Sequence, residues 1–260
     1  MTARGGGGGD GDLTAIGDSG ESTFEALPAS GAAVNEITKI QVRDRWVHAR
    51  VTVPDLVPPS TVPALVIAPG QAYHMDLALT RGLFERVAAE GWIAVRFDWS
   101  FYTTRTKPSK AYASEVEELQ AVIDHTRALP GCDRSRLYIV GKSLGAGIAL
   151  ERAAADPSIR GVILLTPPIH SPKPEYKMGT IRPRLERLRQ PSLIVVGERD
   201  PLCELGRLYT LLSGLSHAPH LAVVGGDHSL RPTTPEESGA AHVELALSHA
   251  VDWLKRQSTR

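Results

Sequence analysis

Short apolar runs alternate along the chain with longer stretches in which apolar positions recur every three or four residues. That change of period separates buried strands from amphipathic helices. Residues 37–42 and 46–53 mix apolar and polar positions in rough alternation, the pattern of strands with one exposed face, and are expected to pair as an antiparallel edge. Residues 54–63 form a proline-rich loop. Apolar runs follow at 64–68, 92–97, 137–140, 161–165, 192–196 and 221–224, as in strands covered on both faces. Helical spacing fills the gaps. Leu79, Leu83, Phe84 and Val87 share one face behind a candidate cap at Asp76 and ahead of Gly91; Tyr112, Val116, Leu119, Val122, Ile123 and Thr126 precede Pro130-Gly131. Further helices are expected at 144–155, 205–215 and 238–255, the last carrying Val243, Ala246, Leu247, Ala250, Val251 and Leu254 on one face. Residues 98–110, with Trp99, Phe101 and Tyr102, follow neither period and read as a polar, aromatic-rich loop. Strands alternating with helices imply an α/β fold with a doubly wound, mostly parallel sheet flanked by helices. Ligands of such a sheet bind at the carboxyl ends of its strands.

The helical and strand periods begin only near residue 35. Residues 1–34 are rich in Gly, Ser, Asp and Ala, with Arg4 against a surplus of acidic residues. Such a segment cannot bury enough surface to offset its conformational entropy, so a disordered, Gly-rich acidic tail is expected ahead of one domain at 35–260. Over the 260 residues, Lys plus Arg equals Asp plus Glu at 29 each. No global field therefore favours nucleic acid or an anionic membrane. Two cysteines, Cys132 and Cys203, are too few for a disulfide framework and suit a reducing compartment. The chain has no apolar run of about 18 residues and no apolar core near its start, so a cytoplasmic protein is expected. His, Cys and carboxylate residues do not cluster at metal-ligand spacing, and neither metal nor cofactor is expected.

The chemistry concentrates where the run Leu137-Tyr138-Ile139-Val140 breaks into Gly141-Lys142-Ser143-Leu144-Gly145. A strand, then G-x-S-x-G, then a helix is the pattern of a nucleophile elbow, in which a serine sits in a strained turn and its flanking positions must lack side chains. Gly141-Lys142-Ser143 also resembles the end of a phosphate-binding loop, but that motif needs glycine where this chain has Arg136. Lys142 reads as an exposed residue of the elbow.

A serine hydroxyl needs a general base, and the base needs a group that holds its tautomer. Nucleophile, acid and histidine follow one another in that order on this kind of sheet. Asp200 follows the strand at 192–196 and His228 follows the strand at 221–224, which makes Ser143, Asp200 and His228 the candidate catalytic residues. Glu198 and Asp227 are the nearest competitors for the acid. Acyl transfer also needs two N–H donors aimed at the developing oxyanion. Leu144 is the first candidate, and Gln71, in the turn after the strand at 64–68, is the second, with Ala72 as fallback. Gly70, Ala72, Tyr73, His74 and His170 are candidate substrate-binding residues. The proline-rich, basic segment 166–190 is open to two readings, a small lid carrying His170 and Tyr176 over Ser143 or an ordinary surface excursion. His125 lies within a helical pattern and reads as structural or solvated. Cys203 reads as core filler.

Over residues 37–258 the chain resembles the α/β-hydrolase superfamily through Gly141-Lys142-Ser143-Leu144-Gly145, Gly197-Glu198-Arg199-Asp200-Pro201 and Gly226-Asp227-His228-Ser229-Leu230. Within it, the compact scaffold and the Asp-His-Ser-Leu ending look like the dienelactone-hydrolase-like group and the related KANL-and-Tex-type proteins. The resemblance implies an eight-stranded, mostly parallel sheet, a small or absent lid and a Ser-His-Asp hydrolase. Two positions depart from the pattern. Pro69 stands where the usual histidine precedes Gly70, and dienelactone hydrolases proper use cysteine where this chain has Ser143. The reading is a serine hydrolase acting on a small carboxylic ester or related acyl compound. The alternative is a non-catalytic module that binds a protein partner, as some KANL-and-Tex-type proteins are thought to do. Homo-oligomerisation stays open.

Overall fold

The computed structural model describes residues 34–55, 60–170 and 181–259. The expected tail up to residue 33 and the middle of the segment read as a lid, with Tyr176, lie outside the described residues. Eight strands form one sheet in the order β1-β2-β4-β3-β5-β6-β7-β8. Strands β1 (Val34–Val42) and β2 (Arg45–Val53) are an antiparallel hairpin, and β2 pairs antiparallel with β4 (Ile93–Asp98). Along β2, Val47, Ala49 and Val51 are buried while Trp46 is exposed, which is the alternation that marked this edge in the sequence.

From β4 onward the sheet is parallel, through β3 (Val62–Ala68), β5 (Cys132–Lys142), β6 (Gly161–Leu165), β7 (Ser192–Gly197) and β8 (His220–Val224). The chain passes from β3 outward to β4, then returns to β5 on the other side of β3. The junction of β3 and β5 is therefore a topological switch point, where crossovers leave to opposite faces and a crevice opens at the strand ends.

Helices cover both faces. On one side α3 (Ala113–Ala128), α4 (Leu144–Ala155), α5 (Arg182–Arg187) and α6 (Leu205–Ser213) pack over Ala64, Val66, Ala68, Leu137, Ile139, Val162 and Leu164. On the other, α1 (Ala78–Ala89) and α7 (Gly239–Ser258) pack over Leu65, Ile67, Tyr138, Val140, Ile163 and Leu165. Successive residues of each central strand thus enter opposite cores, which is why these strands read as unbroken apolar runs. Among the described residues no helix is long and apolar enough to cross a membrane.

Three expectations are corrected. Residues 98–110 are not a polar loop: they contain the short helix α2 (Ser100–Thr103), and Trp99 and Phe101 are core residues. One helical turn is too short to show a period, so the sequence pattern missed it. Asp76 does not cap α1, whose N-cap is Leu77 with no side-chain bond. Its carboxylate pairs instead with Arg96 at 2.8 Å and faces Arg50 at 3.5 Å. Tyr112 adopts φ 59° and is exposed, so α3 begins one residue later than its apolar spacing suggested.

Candidate active site

The turn after β5 is built by backbone sterics. Ser143 holds φ 54° and ψ −114°, a sparsely populated conformation that costs about 1–3 kcal/mol. Its N–H donates to Leu165 O at 2.9 Å, and Leu144 begins α4 directly behind it. A Cβ on Gly141 would stand 2.1 Å from Gly145 O, and a Cβ on Gly145 would stand 2.5 Å from both Ala68 O and Pro69 O. The helix can fold back against β5, and the loop after β3 can lie across the helix start, only because both positions are glycine.

Two loops from further along the sheet converge on this serine. His228 Nε2 lies 2.8 Å from Ser143 Oγ. On its other side, His228 Nδ1 lies 2.8 Å from Asp200 Oδ2 and 3.0 Å from Oδ1. A carboxylate only accepts, so the proton on Nδ1 points to Asp200 and Nε2 is left to accept from the serine hydroxyl. Asp200 is 3% exposed, and its Oδ1 also accepts the Leu202 N–H at 2.8 Å. Gly197 permits the convergence, because a Cβ there would meet the Gly226 and Asp227 carbonyls at 2.5 Å. The two competing acids are turned elsewhere. Glu198 is exposed and pairs with Arg199, and Asp227 accepts the N–H groups of Ser229 and Arg231 at 2.7 and 2.9 Å, closing the turn that carries His228.

The loop after β3 faces the elbow, since Ala68 is the register partner of Gly141. Gln71 and Ala72 are exposed in its turn, next to Gly70, and Leu144 across from it is buried. Tyr73 is half-buried; its hydroxyl accepts the Leu79 N–H at 3.0 Å, and burial pushes the phenol up to about 12. His74 Nδ1 accepts the Asp76 N–H at 3.2 Å, and its ring stacks on Tyr102 at 5.8 Å. Side chains of β4 and its extension fasten this loop. Asp98 Oδ1 accepts the Met75 N–H at 2.7 Å, Arg96 Nη1 donates to Met75 O at 2.6 Å, and Trp99 Nε1 donates to Pro69 O at 2.9 Å. Burial raises the Asp98 carboxyl and lowers the Arg96 guanidinium from their ordinary values. The sequence gives none of these three a role at the site; their one signal is a charged and aromatic cluster at the end of an apolar strand.

His170 lies on the segment that leaves β6, and its N–H donates to Leu202 O at 3.3 Å, beside the Asp200 loop. It is not seen in contact with the triad. Lys142 corrects an expectation outright. It is 3% exposed rather than solvated, its Nζ donates to His228 O at 3.0 Å, and it stands 5.2 Å from the Tyr73 ring centre. Strand alternation explains this, because position 142 follows Tyr138 and Val140 onto the α1 and α7 face, where the loops close over it. Burial pulls its ammonium down to about 8, against the favourable fields of Asp200 and Asp227. Cys203 is buried and its thiol is pushed up to about 12 by burial, so it is no activated nucleophile. Among the described residues no three His, Cys, Asp or Glu side chains are grouped to hold a metal ion. A depression of about 380 Å³ between Arg182, Glu204, Arg207 and Thr210 does not include the triad.

A profile described as an alpha/beta hydrolase domain matches residues 61–256. Cutinase 1 of Thermobifida cellulosilytica is 25% identical over 207 residues, covering 76% of this chain and 69% of its own length. The bis(hydroxyethyl) terephthalate hydrolase of Streptomyces coelicolor is 24% identical over 238 residues, covering 91% of this chain and 70% of its own. In three dimensions the chain is similar to a putative dienelactone hydrolase from Klebsiella pneumoniae, with a TM-score of 0.67 and 17% identity over 86% of this chain and 99% of that one. The strand order, the serine at the switch point and the match across residues 61–256 together show that this chain belongs to the α/β-hydrolase family.

Proposed function

We propose that the chain is a serine hydrolase that cleaves a small carboxylic ester or related acyl compound through an acyl-enzyme. The observation that carries this reading is the unbroken path from Ser143 Oγ through His228 to Asp200, with both links at 2.8 Å. His228 Nε2 takes the Ser143 proton as Oγ bonds to the substrate carbonyl carbon. The carbonyl oxygen becomes an oxyanion facing the N–H groups of Leu144 and Gln71. As the acyl–oxygen bond breaks, His228 returns the proton to the departing alkoxide, which leaves as an alcohol. Water then repeats the attack on the acyl-enzyme with His228 again as base, releasing the acid and restoring Ser143. Asp200 stabilises the imidazolium in both halves without itself taking the proton.

Beside the cutinases, the relatives include a bis(hydroxyethyl) terephthalate hydrolase, whose named substrate is an ester, which supports the same bond class here. The backbone donors supplied by the turns after β3 and β5 need no cofactor. The unpaired Cys132 and Cys203 support a cytoplasmic setting. Fluorophosphonate labelling tests the reading, followed by peptide mass spectrometry. An adduct is expected on Ser143, with turnover of p-nitrophenyl acetate falling by about 10⁴-fold or more in Ser143→Ala. A folded wild-type protein that takes no adduct would overturn the reading in favour of a non-catalytic binding module.

A further inference from the structure

Lys142 is a buried cation that the reaction above does not use. Its Nζ donates to the main-chain carbonyl of His228 at 3.0 Å, and it stands 5.2 Å from the ring centre of Tyr73. Those partners belong to different loops. Tyr73 lies two residues beyond Gln71 in the loop after β3, and His228 carries the base in the loop after β8. Lys142 itself is the residue before Ser143. Burying an ammonium is costly, and an apolar side chain of similar length would fill this space without that cost. The fold around it does not require a cation either, since the strand is already paired at this point to Leu165 of β6.

We propose that Lys142 is a positioning residue, whose ammonium ties the His228 main chain to the Tyr73 loop so that the base and the oxyanion donors keep their spacing about Ser143. The tie acts through His228 and Tyr73, and Lys142 touches neither substrate nor reacting atom. A shift of His228 by about 1 Å would lengthen the path to Oγ and slow proton transfer about 10- to 100-fold. This inference rests on the serine-hydrolase reading of the site.

The ammonium is faced by Asp200 from the loop after β7, by Asp227 and Arg231 from the loop after β8, and by Tyr73 from the loop after β3. With its titration drawn down to about 8, the tie weakens as pH rises through that value, because a neutral amine donates less strongly and loses its attraction to the Tyr73 ring.

The test measures the fluorophosphonate labelling rate, kcat and KM for p-nitrophenyl acetate between pH 6 and 10, and Tm at each pH, in the wild type, Lys142→Met and Lys142→Arg. For Lys142→Met the expected result is a labelling rate and kcat lower by about 10- to 100-fold, KM within about 2-fold, and Tm at pH 7 no lower than wild type. The wild type should lose activity above about pH 8, that loss should be absent from Lys142→Met, and Lys142→Arg should recover part of kcat. A Lys142→Met protein that labels and turns over like wild type overturns this inference and leaves the hydrolase reading intact. So does a loss of activity that merely tracks a fall in Tm. A wild type that takes no adduct overturns both. Should Lys142→Met fail to fold, Lys142→Leu, which likewise carries no N–H donor, is judged by the same criteria.

Discussion

The turns after β5 and β3 are neighbours across one strand pair, yet they are held in different ways. The β5 turn is shaped by backbone sterics: glycine at 141 lets the helix start fold back against the strand, glycine at 145 lets the Ala68 and Pro69 carbonyls lie against it, and Ser143 takes the strained conformation between them. The β3 turn has no such internal lock. Its carbonyl at Pro69 and both backbone groups of Met75 are tied by Trp99, Asp98 and Arg96 from the neighbouring strand and its extension, and Lys142 lies against Tyr73. A serine turn held by backbone sterics resists side-chain changes elsewhere, whereas the β3 turn, held by distant side chains, can be loosened without touching the serine.

Three substitutions test that contrast. Asp200→Asn should have the largest effect, because the amide can present its N–H to His228 and leave the ring in the wrong tautomer. A fall in kcat of about 10⁴-fold is expected with little change in Tm, and wild-type kcat in this variant would remove Asp200 from the mechanism. Gly145→Ala should come next, since its methyl would meet two carbonyl oxygens at 2.5 Å. A loss of about 3 kcal/mol in urea unfolding is expected, together with the loss of Ser143 labelling. Trp99→Phe should have the smallest effect. It keeps most of the buried ring but removes the N–H that satisfies Pro69 O, so about 1 kcal/mol of stability and a few-fold in kcat should be lost, with the Ser143 labelling rate falling no further than kcat. Equal damage from Gly145→Ala and Trp99→Phe would show that the two turns are not held differently.

Lys142 adds a pH-dependent version of the same contrast. Its folded value of about 8 lies below the ordinary 10.5, so the unfolded chain binds the proton more tightly. The cost, on the order of 3 kcal/mol, is fully present below pH 8 and is relieved as pH rises toward 10.5. The Tm advantage of Lys142→Met should therefore be greatest near pH 7 and shrink by pH 10, as read in thermal unfolding at both values.

The comparison also explains what was readable in advance. The helix at 144–155 and the strand at 161–165 coincide with α4 and β6, and the antiparallel edge at β1 and β2 was visible as alternation. Each is a local pattern, either a period or an unbroken apolar run. Helix α2 was not readable because four residues show no period, and Asp76 was misplaced as a cap because an arginine twenty residues on offers its carboxylate a stronger partner. Lys142 was misjudged because strand alternation states which face a residue joins but not which loops will cover it.

By itself, then, the sequence determined the strand–helix alternation, the strained serine turn and the order in which Ser143, Asp200 and His228 follow strand ends, since all three are written in neighbouring residues. Only the tertiary structure decided that these side chains meet at 2.8 Å, that Glu198 and Asp227 turn away, and that Lys142 is enclosed between two loops. The meeting of the three side chains and the tie from Lys142 to His228 depend on contacts between residues 28 to 86 positions apart, whose distances are set by how the crossovers pack on the sheet and not by any spacing along the chain.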